Sequence, residues 1–214
     1  MSDEIKTVEA VETEKPADER AHIVTLKRPY RFEGKEYTEI DLGGLDNLTI
    51  QDAIDAQRDL FGRQEVASAL VCETTTAFAM EIAVKASGLP IEFFKQMKRR
   101  EGKLVQAEVI GHIVRNRSKA GKIMRLEKPY CFRDEIFTEF DLSGVADMSV
   151  MQESAAENAM AMEGFIITET SYNYLYACII AGMAVDRPKE LFTGLPLYEL
   201  MNLKDSVKDA DFFE

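Results

Sequence analysis

Tryptophan is absent from this chain of 214 residues, histidine occurs only twice and cysteine three times. Cys72, Cys131 and Cys178 are odd in number, far apart and free of any CxxC spacing. That pattern argues against a disulfide framework or a cysteine-based zinc site, and it suits a reducing compartment. His22 and His112 are far apart in the chain, and neither has a counterpart in the repeat described below, so neither a shared histidine mechanism nor a metal centre is expected. No stretch approaches the roughly eighteen uninterrupted apolar residues of a membrane span. The opening residues, MSDEIKTVEAVETEKPADER, contain no apolar core of a signal peptide. Glycine series for phosphate, nucleophile elbows and Walker patterns are also missing.

What remains is acidic. The formal net charge is -12 and the pI is about 4.8. Such a balance disfavours nucleic acid and anionic membranes as partners, because both select basic surfaces. Apolar residues make up 46% of the chain, enough to fill a core. One basic cluster departs from this background: Lys95, Lys98, Arg99, Arg100 and Lys103, followed by Arg115, Arg117, Lys119 and Lys122. No aromatic residues interleave it, so it reads as a solvated face and a linker, with an acidic partner as its other use.

The chain also writes one phrase twice. LKRPYRFEGKEYTEIDLGG begins at Leu26 and LEKPYCFRDEIFTEFDLSG at Leu126. Over positions 26–50, a shift of one hundred aligns nine identical residues, among them Pro29 with Pro129, Tyr30 with Tyr130, Asp41 with Asp141 and Gly44 with Gly144. This period is too long for a solenoid and implies two copies of a small module. In each copy, apolar residues alternate (Val24, Leu26, Tyr30, Phe32; Met124, Leu126, Tyr130, Phe132) up to a turn at Glu33-Gly34-Lys35 or Arg133-Asp134-Glu135. A returning strand follows, so each copy opens with a β-hairpin. A lone hairpin is not stable in water, and helices must cover it. Thr49 and Ser149 are N-cap candidates, each with a side chain three residues on that can cap back. Longer helices are expected over about 66–87 and 167–184, short ones after Pro90 and Pro188, and closing helices near 103–115 and 196–208.

The expected fold is therefore α+β: two tandem, similar small domains, each an N-terminal β-hairpin packed on three to four helices. Residues 1–20 read as a disordered acidic arm, 22–114 and 123–208 as the two modules, 115–122 as a basic linker and 209–214 as a tail. The repeated acidic residues Glu39, Asp41, Glu139 and Asp141 fall on the solvent-facing parity and read as edge-strand charges. Cys72 and Cys178 lie among apolar helical neighbours and read as core. No catalytic, cofactor-binding or metal-binding residue is assigned. Seven of the ten methionines lie in the second copy, with Tyr172, Tyr174 and Tyr176 stepping by two along a helix so that at least one should reach the surface. Phe78, Phe93, Phe94, Met160, Met162, Tyr172, Tyr174 and Tyr176 are the candidates for partner contact.

Leu26, Pro29, Gly34, Tyr37, Glu39 and Leu42, with Gly88-Leu89-Pro90, and then Leu126, Pro129, Phe137, Glu139 and Leu142, carry a pattern that resembles the tail assembly chaperone family of tailed bacteriophages. The resemblance implies a small non-enzymatic protein, present here as a tandem. It would bind the long helical tape measure protein and help recruit the tail tube protein, without cofactor, in the host cytoplasm and outside the finished virion. Duplication suits such a holder, since two tethered weak sites gain avidity. Self-association is compatible with it. A structural tail or baseplate adaptor of the virion is the alternative.

Overall fold

A computed structural model describes residues 22–65, 72–117, 121–165, 170 and 173–212, with side chains described to residue 208. The expected arm, Tyr172 and the side chains of the C-terminal tail, 209–214, lie outside the described residues.

Each copy does open with an antiparallel hairpin, forming its own two-stranded sheet. Strand β1 (Ile23–Phe32) pairs with β2 (Lys35–Asp41), and β3 (Ile123–Phe132) with β4 (Glu135–Asp141). The turns are two residues long, with positive φ at Glu33 and Gly34 and at Arg133 and Asp134. Positive φ at both positions gives the twist that matches a hairpin's strands. Both hairpins carry the same irregularity. Register runs Thr25↔Glu39 and then Tyr30↔Tyr37, so Leu26–Pro29 bulge out of the ladder; Arg125↔Glu139 and Tyr130↔Phe137 repeat it. Proline, which has no N–H to donate, fits a bulge.

The bulge frees one backbone donor, and a buried carboxylate collects it. Lys27 N–H donates to Glu101 Oε2 at 3.0 Å, and Glu127 N–H to Glu199 Oε1 at 2.8 Å. Both acids are buried, and neither was anticipated from the sequence. The single inward parity of Ile40 and Leu42, and of Phe140 and Leu142, holds: all four are at most 4% exposed.

The helices are α1 (Ile50–Gly62), α2 (Thr76–Ser87), α3 (Ile91–Lys95) and α4 (Arg99–Ile113), then α5 (Val150–Met162), α6 (Tyr174–Ala184), α7 (Glu190–Thr193) and α8 (Leu200–Phe212). The Asp52 carboxylate accepts the Thr49 N–H at 3.0 Å. Ser149 and Gln152 cap reciprocally, at 3.3 and 2.9 Å. Gly88 ends α2 in the left-handed conformation, as expected of a C-cap glycine. Helices α2 and α6 start later than their apolar periodicity suggested. Thr75 Oγ accepts the Phe78 N–H at 3.2 Å, and Asn173 Oδ1 accepts the Tyr176 N–H at 3.1 Å. These polar side chains set the true starts. Upstream of Thr75, Cys72–Thr74 form a 3-10 turn.

Gly44 and Gly144 mark the same joint in both modules. A Cβ on Gly44 would lie 2.1 Å from the Ala86 carbonyl oxygen, and one on Gly144 2.7 Å from that of Ala184. Each 3-10 turn after the hairpin (Gly43–Asn47, Ser143–Val145) is thereby pressed onto the end of α2 or α6. Ala86 and Ala184, like Glu101 and Glu199, are 98 residues apart, so the correspondence shifts by two beyond α1 and α5.

The modules are not independent beads. One continuous cluster of buried side chains runs through both. The stretch read as a linker is docked at its start: Asn116 Nδ2 donates to both Glu199 oxygens at 2.9 and 2.8 Å, and Arg117 Nε lies 2.6 Å from Asp205. Residues 118–120 lie outside the described set. Among the described residues, no helix is long and apolar enough to cross a membrane.

Candidate partner-binding groove

The joint between the modules shows what the second module's helices can hold. The segment Leu48–Ile50, leading into α1, forms a short antiparallel bridge with Leu195–Leu197. Ile50 N–H donates to Leu195 O and Leu197 N–H to Leu48 O, both at 2.9 Å, with Thr49 opposite Pro196. Gln57, one turn and more along α1, accepts the Tyr174 N–H at 3.3 Å. Helix α1 buries Ile50, Ala53, Ile54, Ala56, Gln57 and Leu60. Burying one side chain the size of Ile50 is worth about 1.5–3 kcal/mol. Beneath this seam, Lys204 Nζ meets Glu73 Oε1 at 2.8 Å, and Tyr174 OH donates to Glu73 Oε2 at 2.9 Å.

The first module has the same receiving surface, and there it is open. By the 98-residue correspondence, Tyr174, Leu195, Leu197 and Lys204 match Thr76, Met97, Arg99 and Gln106. Those four, with Ala79, Met80, Phe94 and Val105, line a cleft of about 450 Å³ between α2, α3 and α4. Its floor is apolar and its rim is basic, through Lys95, Arg99 and Lys103. Beyond Lys98, a second cleft of about 480 Å³ is lined by Arg28, Arg31, Lys98 and Arg100. The cluster read as a solvated face is thus the rim of an apolar groove. The expectation of two similar grooves is corrected: the second is filled in cis by the first module.

The complementary surface is free on the second module. Helix α5, the counterpart of α1, buries only Ala156 and Met160. Val150, which matches Ile50, is 86% exposed; Met151 is 81% and Met162 89% exposed. The helix carries Glu153 and Glu157 and no basic residue.

Most residues proposed for partner contact are core. Phe78, Phe93, Phe94, Met160, Tyr174 and Tyr176 are all buried. Phe93 plugs the underside of the first hairpin, its ring centroid 4.9–5.3 Å from those of Tyr30, Phe32 and Tyr37. Phe78 packs against Tyr174 across the seam, with centroids 5.8 Å apart. The Tyr176 hydroxyl donates to Glu153. Tyr174 and Tyr176 are buried because the neighbouring module and α5 enclose α6 on several sides, and Tyr172, the third of the stepping tyrosines, lies outside the described residues. Of the eight, Phe94 lines the groove and Met162 is exposed.

The two histidines, read as unrelated, meet. Their rings are edge-on with centroids 4.8 Å apart. Burial, and then the neighbouring His22, push His112 down to about 4, so its imidazole is neutral at pH 7. Both the Cys72 and Cys178 thiols are buried: burial, and then Glu73, push Cys72 up to about 12, and burial raises Cys178. Cys131 is exposed.

No family model, no curated protein and no solved structure matches the chain.

Proposed function

We propose that this protein is a non-catalytic tail assembly chaperone that shelters an apolar helical segment of the tape measure protein in the groove between α2, α3 and α4. The observation that carries this reading is the filled groove of the second module. There, equivalent backbone binds a short extended segment running into an amphipathic helix, the helix-in-groove mode of peptide recognition. The open groove offers the same shape to a partner, and its basic rim selects a segment flanked by Asp or Glu. A long client with repeated apolar stripes provides many such segments. This action belongs in the host cytoplasm during assembly, with the tail tube protein as the next recruit.

Coexpression with the tape measure protein from the same genome tests it. The wild-type chain should raise the client's soluble yield and co-purify with it. Met80→Glu, which puts a charge on the groove floor at a partly buried position, should abolish both while leaving the thermal transition within a few degrees. Equal rescue by Met80→Glu would exclude the groove, and no rescue by the wild type would exclude the function.

A second reading is favoured by α5. Its exposed Val150 and Met151, with Glu153 and Glu157, are complementary to the basic-rimmed groove of another copy. Head-to-tail docking of that kind does not close on itself and builds rings or filaments, which suits a structural tail component. Sedimentation separates the two readings: a structural component should assemble without client, in a manner lost in Val150→Asp, whereas a chaperone should not depend on Val150.

A further inference from the structure

His112 lies on α4 with its side chain fully enclosed, and among the described residues neither ring nitrogen has a hydrogen-bond partner. A buried polar group without a partner is costly and calls for a physical explanation. The surroundings supply one. His22, at the head of β1, points Nε2 at Asp46 Oδ2, 3.5 Å away, and Asp46 Oδ1 lies 4.0 Å from His112 Nδ1. One ligand atom from each of His22, Asp46 and His112 falls within 4.8 Å of the others. In a tetrahedral site, bonds of about 2.0–2.2 Å to nitrogen and oxygen place neighbouring ligand atoms somewhat over 3 Å apart. Exposed Asp46 can rotate toward either ring, and the remaining approach falls to the two imidazoles.

We infer that His22, His112 and Asp46 form a site for one divalent transition-metal ion, of which zinc is the best match to two imidazoles and a carboxylate. A fourth position is left for water. The arrangement around His22 is that of a built site. Its Nδ1 lies 2.7 Å from Glu108 Oε1, so the N–H on that side is held by a carboxylate and Nε2 is left as the ligating atom. Such carboxylate partners orient a ligating histidine and strengthen its binding. Asp46 and Glu108 together offset the cation. The nearby Arg115 holds Asp46 in place, with Nη1 3.5 Å from Asp46 Oδ1, and an ion would take over that oxygen while Arg115 keeps its Nε 3.0 Å from Glu127.

The site belongs to the first module alone. Lys122, Ala146 and Ala210 stand where His22, Asp46 and His112 would be in the second. The module fold therefore forms without these residues, although in the first module His112 also packs edge-on against Tyr198, with ring centroids 5.8 Å apart. An ion here would tie the head of β1 and the 3-10 turn to α4, which borders the open groove.

The test is uptake of Zn²⁺ by the chelator-stripped full chain, followed by competition with a chromophoric chelator, with Co²⁺ as a spectroscopic probe. One equivalent should bind, raise the melting temperature, and give the visible absorption of tetrahedral cobalt. Asp46→Asn and His22→Gln, both at positions with solvent access, should weaken binding at least tenfold. Glu108→Gln should weaken it about 10–100-fold, and the hairpin variant Glu139→Gln should not change it. Absence of stoichiometric uptake, or equal uptake by Asp46→Asn and His22→Gln, would overturn the site and leave the groove reading untouched.

Discussion

The Glu73 carboxylate concentrates more of the structure on itself than its sequence context suggests. It sits almost fully enclosed at the seam, accepts the Tyr174 hydroxyl and pairs with Lys204, which is itself buried. Removing one member of a buried pair strands the other, at a cost of about 3–5 kcal/mol. Glu73→Ala should therefore lower stability by that amount in denaturant melts, whereas Glu39→Ala, on the exposed strand face, should change it by less than about 0.5 kcal/mol. Thiol chemistry gives a second test at this scale. Cys72 and Cys178 are enclosed, with thiols raised by burial, and Cys131 is exposed. A thiol reagent at neutral pH should label one cysteine per native chain and three after unfolding. Rapid native labelling at Cys72 would contradict the enclosed seam. The cysteine roles were legible from their apolar neighbours. Glu73 was not, because nothing local marks a carboxylate whose partners lie 101 and 131 residues away.

At the scale of elements, the hairpins were the most readable part of the chain. Alternation fixes which face is apolar, and the two-residue turns need only local chemistry, so Glu33-Gly34 and Arg133-Asp134 could be placed in advance. Helix starts were less readable. Apolar periodicity runs upstream of Thr75 and Asn173, but a cap ends a helix whatever lies before it. The bulge was invisible as well, since its freed donor is satisfied by a glutamate some seventy residues on. The two joint glycines yield a graded prediction. Gly44→Ala drives a Cβ to 2.1 Å from a backbone oxygen, and Gly144→Ala to 2.7 Å. Both should destabilise, Gly44→Ala by about 3 kcal/mol or more and Gly144→Ala by less, in the manner of overpacked sites. Equal, negligible losses in thermal melts would show that the turns do not bear on α2 and α6 as described.

For the whole molecule, duplication was plain in the sequence, while its consequence was not. Two similar modules suggested two similar binding sites. Instead, the modules pack head to tail, and the first fills the groove of the second with Leu48–Ile50 and α1. That asymmetry comes from contacts between parts of the chain about 145 residues apart, which no local pattern encodes. The seam consumes Phe78 and Tyr174, while Phe93 is buried under the first hairpin and Tyr176 against α5. The asymmetry leaves an apolar groove with a basic rim on the first module and an exposed face of the acidic helix α5 on the second. The open groove fits the proposed role of a holder of helical apolar surface.

The most direct measurement is a binding titration of helical segments of the tape measure protein against the wild-type chain, Met80→Glu and Val150→Asp. The account predicts saturable binding of apolar segments with acidic flanks, weakened at least tenfold by Met80→Glu, reduced by added salt and unaffected by Val150→Asp. Binding that is indifferent to Met80→Glu, or absent for every segment, would contradict it.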